Sequence, residues 1–146
     1  MISKLYETDF HAWTLEQAKL LKQGQINQLD ILNLIEEIES LGKREKQELR
    51  NRLGILIGHL LKWQYQTDKR SNSWKATIRE QRRRIKEHLQ ENPSLKSYLS
   101  EALISAYQDG LDLAIQETNL PDTTFLAENP YSISQILDSD FLVVQE

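Results

Sequence analysis

The stretch "LGILIGHLL", Leu53 to Leu61, decides the fold class. It is apolar on nearly every side, which marks a helix enclosed by other elements rather than one lying on a surface. At nine residues it has about half the length needed to span a bilayer. Two glycines, Gly54 and Gly58, lie one turn apart inside it. Each costs roughly 1 kcal/mol relative to Ala in a helix interior. A partner helix that requires close backbone approach would offset that cost, either within the chain or across a dimer seam. Extended in both directions, the run becomes a helix over about Lys43 to Gln64. Leu49, Leu53, Leu56, Leu60 and Trp63 share one face of it.

Upstream, Ile31, Leu32, Leu34, Ile35, Ile38 and Leu41 recur at helical spacing from Asp30 onward, and Gly42 is expected to end or kink that helix. A first helix runs from Asp9 or Thr14 to Gln23. Thr14 and Gln17 have capping-box spacing, and Gly24 is suited to the left-handed turn after it. Downstream, Ser71 or Ser73 caps a helix over "SWKATIREQRRRIKEHL". Another opens at Pro93-Ser94 and stops before Pro121. Its Ala102, Ala106, Gly110 and Ala114 recur every four residues and form a second small-residue stripe. Ser132 and Gln135 repeat the capping-box spacing before a short last helix. The chain holds five Gly and three Pro, and no Pro before position 93, which leaves room for long helices and argues against an all-β chain. The expectation is one all-α domain over residues 1–146, a single helical bundle of five to six helices.

Composition narrows function by exclusion. The absence of Cys rules out disulfides, thiolate metal sites and a Cys nucleophile. The start "MISKLYETDF" lacks an apolar h-region, so it does not read as a signal peptide, and a cytoplasmic protein without a membrane segment is expected. His11, His59 and His88 all lack a Glu three residues earlier, so the helical di-iron signature is missing; no metal and no cofactor is expected.

Charge is uneven. Lys62 to Glu87 carries nine basic and three acidic residues, whereas Ser97 to Glu146 carries nine acids and no Lys or Arg. At 100° per residue, Trp74, Ile78, Ile85 and Leu89 form an apolar face on the fourth long segment. Lys75, Arg79, Arg82, Arg83 and Lys86 form a basic stripe beside it, with Arg82 nearest the core. Such a stripe suits phosphate binding. It also suits local pairing, Glu80 with Arg84 and Arg83 with Glu87, together with cover from the acidic C-terminal third.

A further set of polar residues falls on apolar arcs. Glu39 follows Leu32 and Ile35 along one side of its helix, which predicts a buried carboxylate in need of a cation. Arg52, His59 and Trp63 make a strip on the central helix. Together with Arg82 they form a candidate polar cluster, read foremost as a buried salt-bridge network that fixes helix register. Arg52 and His59 also have the Arg-x6-His spacing permitted by the HEPN superfamily of helical ribonucleases.

The segments "DFHAWTLEQAKLL", "LDILNLIEEIESLG", "HLLKWQYQ", "SWKATIREQRRRI", "NPSL", "ETNLP" and "DSDFL", in this order, resemble domain-of-unknown-function family twenty-nine. The resemblance implies an all-helical fold and a cyanobacterial setting, and supplies no catalytic residues. Asn129-Pro130 stands where relatives are expected to show Cys-Pro, so no thiol chemistry attaches to that turn. The resulting expectation is a non-enzymatic protein-interaction module acting as a homodimer or on a partner protein. The alternative is a nucleic-acid-binding or ribonuclease-like protein using residues 75–86 with Arg52 and His59.

Overall fold

The computed structural model describes residues 4–142. Among them it contains six α-helices and no strand: α1 (Leu5–Thr8), α2 (Phe10–Lys22), α3 (Ile31–Tyr65), α4 (Asn72–Glu91), α5 (Leu99–Thr118) and α6 (Ile133–Leu137). The all-α expectation holds. The chain divides into two compact units, Met1–Arg44 and Glu45–Glu146.

Gly42 neither ends nor interrupts its helix. The segments expected as two helices are one, α3, of 35 residues. One Gly in a helix interior costs only about 1 kcal/mol, and no Pro follows to force a stop.

In the first unit, α2 is capped by Asp9, whose side chain accepts from the Ala12 amide; Thr14 instead donates to the His11 carbonyl, one turn inside the helix. The expected cap at Thr14 is therefore one turn late. Gly24 does take the left-handed conformation, at φ +68°. The unit is closed by a short polar latch. Trp13 Nε1 donates to Asp30 (3.0 Å), Gln17 Oε1 accepts from the Asp30 amide (2.8 Å), and Asn33 also donates to the Asp30 carboxylate. Two side-chain hydrogen bonds hold the Asp30 carboxyl below its ordinary value, that from Asn33 foremost. Tyr6, Phe10 and Trp13 form a small aromatic group beside the latch.

The second unit holds the core. Leu49, Leu53, Leu56, Ile57, Leu60 and Leu61 of α3 are fully buried, with Ile78, Ile85 and Leu89 of α4, Ala102, Ala106 and Ala114 of α5, and Ile136 of α6. The two small-residue stripes pack on each other. A Cβ on Gly58 would lie 2.7 Å from Leu113 Cδ2 and 3.2 Å from the Gly110 carbonyl, and one on Gly110 would lie 3.0 Å from the Gly58 amide nitrogen. A side chain at either position would press on the opposite backbone or displace Ile57 or Leu113, so the stripes form a close intramolecular crossing. Ser71 caps α4, accepting from the Trp74 amide, and Asn119 closes α5 in the left-handed conformation. Ser132 and Gln135 form the expected capping box on α6.

Candidate functional site

The expected cluster of Glu39, Arg52, His59, Trp63 and Arg82 is not a single site. Glu39 lies in the first unit and is exposed, as are Leu32 and Ile35, whose apolar arc was expected to place it in a core. The helical phase is right, but the arc faces solvent, so a carboxylate on it needs no counter-ion. The other four lie in the second unit, each with its own partners. Arg52 pairs with Glu48 one turn earlier (3.6 Å) and donates to Gln81 on α4 (3.3 Å). His59 is half-buried, and its Nδ1 donates to the Ile55 carbonyl (2.9 Å). Burial, aided by Lys62, lowers its pKa and favours the neutral ring.

Trp63 belongs to a different group, which sequence reasoning missed. Arg70 stacks 4.8 Å and Lys75 5.5 Å from its ring centroid, and Arg70 also donates to the Trp63 carbonyl. Beside it, Lys62 lies 4.6 Å from the Trp74 ring centroid and pairs with Glu117 of α5 at 2.6 Å. Lys62 is buried between Leu61 and Trp63, its ammonium drawn across an aromatic face to the one carboxylate in reach. A second missed residue is His88. It is buried on α4, with Nδ1 2.8 Å from Glu48 and Nε2 2.9 Å from the Glu45 carbonyl. Its place three residues after Ile85, on the apolar face, was the available signal.

Arg82 is buried as expected, and its surroundings are unusual. Nε donates to the Ile136 carbonyl (2.8 Å), and Nη2 donates to those of Gln135 (3.3 Å) and Phe141 (2.6 Å). The guanidinium thus staples α4 to α6 and the turn after it. Burial lowers its pKa, partly countered by Asp138. The rest of the basic stripe, Lys75, Arg79, Arg83 and Lys86, is exposed. The local pairs form, Arg83 with Glu87 (3.3 Å) and Arg84 with Glu80 (3.7 Å). The expected acidic cover does not: among the described residues, no acid after position 97 forms an ion pair with the stripe, and Glu117 is taken by Lys62. The acids of α5 and of the segment after it reach no cation of α4 other than through the longer-range influence of Asp138.

The matching family model spans residues 5–142, that is, both units and every element described above. Its description is a domain of unknown function, DUF29. The chain belongs to the DUF29 family. No curated protein and no solved structure matches it. Membership in DUF29 assigns no activity to any residue. Among the described residues of this DUF29 chain, no helix is long and apolar enough to cross a membrane, and no three His, Cys, Asp or Glu residues are grouped so as to hold a metal ion.

The surface with the strongest physical signature is apolar. Of the eleven exposed large hydrophobic residues among those described, nine lie in the first unit: Phe10, Leu15, Leu21, Ile26, Ile31, Leu32, Ile35, Ile38 and Leu41. Leu32 is 74% and Ile38 65% exposed. On α3, the face turned toward the rest of the unit is that of Asn33, Leu34 and Glu37. Ile31, Ile35 and Ile38 point elsewhere, on an arc centred near Gly42. A Cβ on Gly42 would meet nothing within 4 Å.

Proposed function

We propose that this protein is a non-enzymatic interaction module that acts as a homodimer through the apolar arc of its first unit. The observation that supports this reading most directly is the contrast between nine exposed large apolar residues in that unit and a single buried one, Trp13. A unit of about 40 residues has little room for a core of its own, and chains of that size usually rely on a metal, a disulfide or association. The sequence has no Cys. The five exposed aliphatic side chains of α3 offer on the order of 600 Å² of apolar surface, against the roughly 800 Å² that one partner contributes to a standard interface. Contiguous exposed patches of that size are typically binding surfaces.

The spacing favours a second copy of the chain as the occupant. Ile31, Leu32, Ile35, Ile38, Leu41 and Gly42 show the same intervals read from either end. Such a pattern is self-complementary across a two-fold axis, where each copy presents the same patch. Ile31, Ile35, Ile38 and Gly42 also follow the alternating four-three spacing of a helix-packing seam.

Light scattering at micromolar concentration is expected to report a dimer, and the double substitution Ile35→Glu/Ile38→Glu a folded monomer with unchanged helicity. A wild-type monomer across the accessible concentration range would end the dimer reading.

A further inference from the structure

We propose that the cleft between α4 and the turn after α6 binds a phosphate group carried by a small molecule. The cleft has a volume of about 360 Å³ and is lined by Arg79, Arg82, Arg83 and Lys86, together with Glu87, Gln90 and Ser139. That is within the range of small-molecule sites and larger than one oxyanion requires.

Arg82 carries the argument. A guanidinium has five N–H donors. Backbone carbonyls of Ile136, Gln135 and Phe141 account for three hydrogen bonds, all through Nε and Nη2. Both groups are engaged in a residue only 3% exposed, and that residue also lines the cleft. No carboxylate of the described residues lies within ion-pair distance of it, and Asp138 acts only at longer range. A cation this deeply buried normally has a partner anion. Here three carbonyl dipoles stand in for it.

The neighbours add to the same field. Arg79 and Lys86 are exposed and take part in no ion pair of the described residues. Arg83 pairs only with Glu87, an exposed i,i+4 pair of the kind that contributes little and is easily displaced. Four basic residues thus line a cavity that one carboxylate, Glu87, also lines. Planar guanidinium groups recognise the oxygens of a phosphate by paired, charge-assisted hydrogen bonds. A phosphorylated small molecule and a nucleic-acid backbone share this chemistry. The cleft's limited volume of about 360 Å³ suits a terminal phosphate better than a continuous strand.

The test is calorimetric titration of the full chain at low salt with pyrophosphate, adenosine 5′-monophosphate and a single-stranded RNA oligonucleotide. Saturable one-to-one binding of the two small probes is expected. The surface double variant Arg79→Gln/Lys86→Gln should weaken it by at least about tenfold without moving the melting point, the effect of losing one charge-assisted hydrogen bond or more. Lys75→Gln, on the stripe but outside the cleft, should bind as wild type. Absence of small-probe binding at millimolar concentration would overturn the proposal, as would equal binding by the double variant. RNA binding that depends on Lys75 and falls steeply with salt, without small-probe binding, would overturn it in favour of a backbone-tracking stripe. None of these residues lies in the dimer arc, so the two readings fail independently.

Discussion

One helix serves two opposite purposes. From Glu45 to Tyr65, α3 is enclosed, with Leu49, Leu53, Leu56, Ile57, Leu60 and Leu61 wholly buried. From Ile31 to Arg44 the same helix, with an apolar content just as regular, leaves Ile31, Leu32, Ile35, Ile38 and Leu41 exposed. Periodicity is equally clear in both halves, so it does not distinguish a side chain that has found its partner from one that has not. The difference lies in what the rest of each unit supplies. The second unit provides α4, α5 and α6; the first provides α1, α2 and a polar latch.

The sharpest way to break this comparison is to make similar changes at two glycines of α3. Gly58→Leu places a branched side chain where even a Cβ lies 2.7 Å from Leu113. Its gain in helix propensity, about 0.8 kcal/mol, is overwhelmed by overpacking of about 3 kcal/mol or more. Thermal unfolding followed by circular dichroism should show the midpoint fall by about 10 °C or more. Gly42→Ala, in open space, should instead gain about 0.5–1 kcal/mol in dilute, monomeric protein. Equal effects at the two sites would mean that the halves of α3 are not differently packed.

Next in size is Arg82→Met, which keeps the volume and leaves the carbonyls of Gln135, Ile136 and Phe141 without their donor. A loss of about 2–4 kcal/mol is expected in chemical denaturation, at the level of buried unsatisfied polar groups. A neutral result would show that water replaces the guanidinium.

The His59 effect is smaller. Burial lowers its pKa, so the unfolded chain takes up this proton at a higher pH than the folded one. The unfolded state therefore binds more protons just below the ordinary histidine pKa of about 6.5, and stability falls as pH drops through that region. His59→Gln should flatten this part of the stability–pH curve, and a curve of unchanged slope would assign the effect elsewhere. Smallest of all, Glu39→Gln should change stability by less than about 0.5 kcal/mol, as for any exposed residue away from special features. A melting point lower by many degrees would return Glu39 to a buried network.

The fold was legible because its signals are local. Spacing of Leu and Ile, the Ser71 cap and the Ser132–Gln135 box each act within a few residues, and all are found where expected. Arg82 was also legible, since its angle on α4 places it beside Ile78 and Ile85. What the sequence did not disclose depends on distant partners. Glu39 was misplaced because an apolar arc signals that burial is wanted, without naming the surface that provides it. Lys62 was overlooked because its partners, Trp74 and Glu117, come from two other helices. Among the described residues, the acidic C-terminal third forms no ion pair with the stripe, because opposite net charge sets no register between particular side chains.

The unbroken course of α3 through Gly42 has a consequence for amide hydrogen exchange. No cap or chain break separates its two halves, so opening can travel inward from Ile31 one turn at a time, stopping only where the core begins near Leu49. In a monomer, protection should rise in a gradient from residue 31 to residue 49. If a second copy seats on the arc, the gradient should flatten as protein concentration rises, while the amides of Leu53 to Leu61 exchange at the same slow rate throughout. A single helix would then record, amide by amide, where the molecule's own stability ends and its partner's begins.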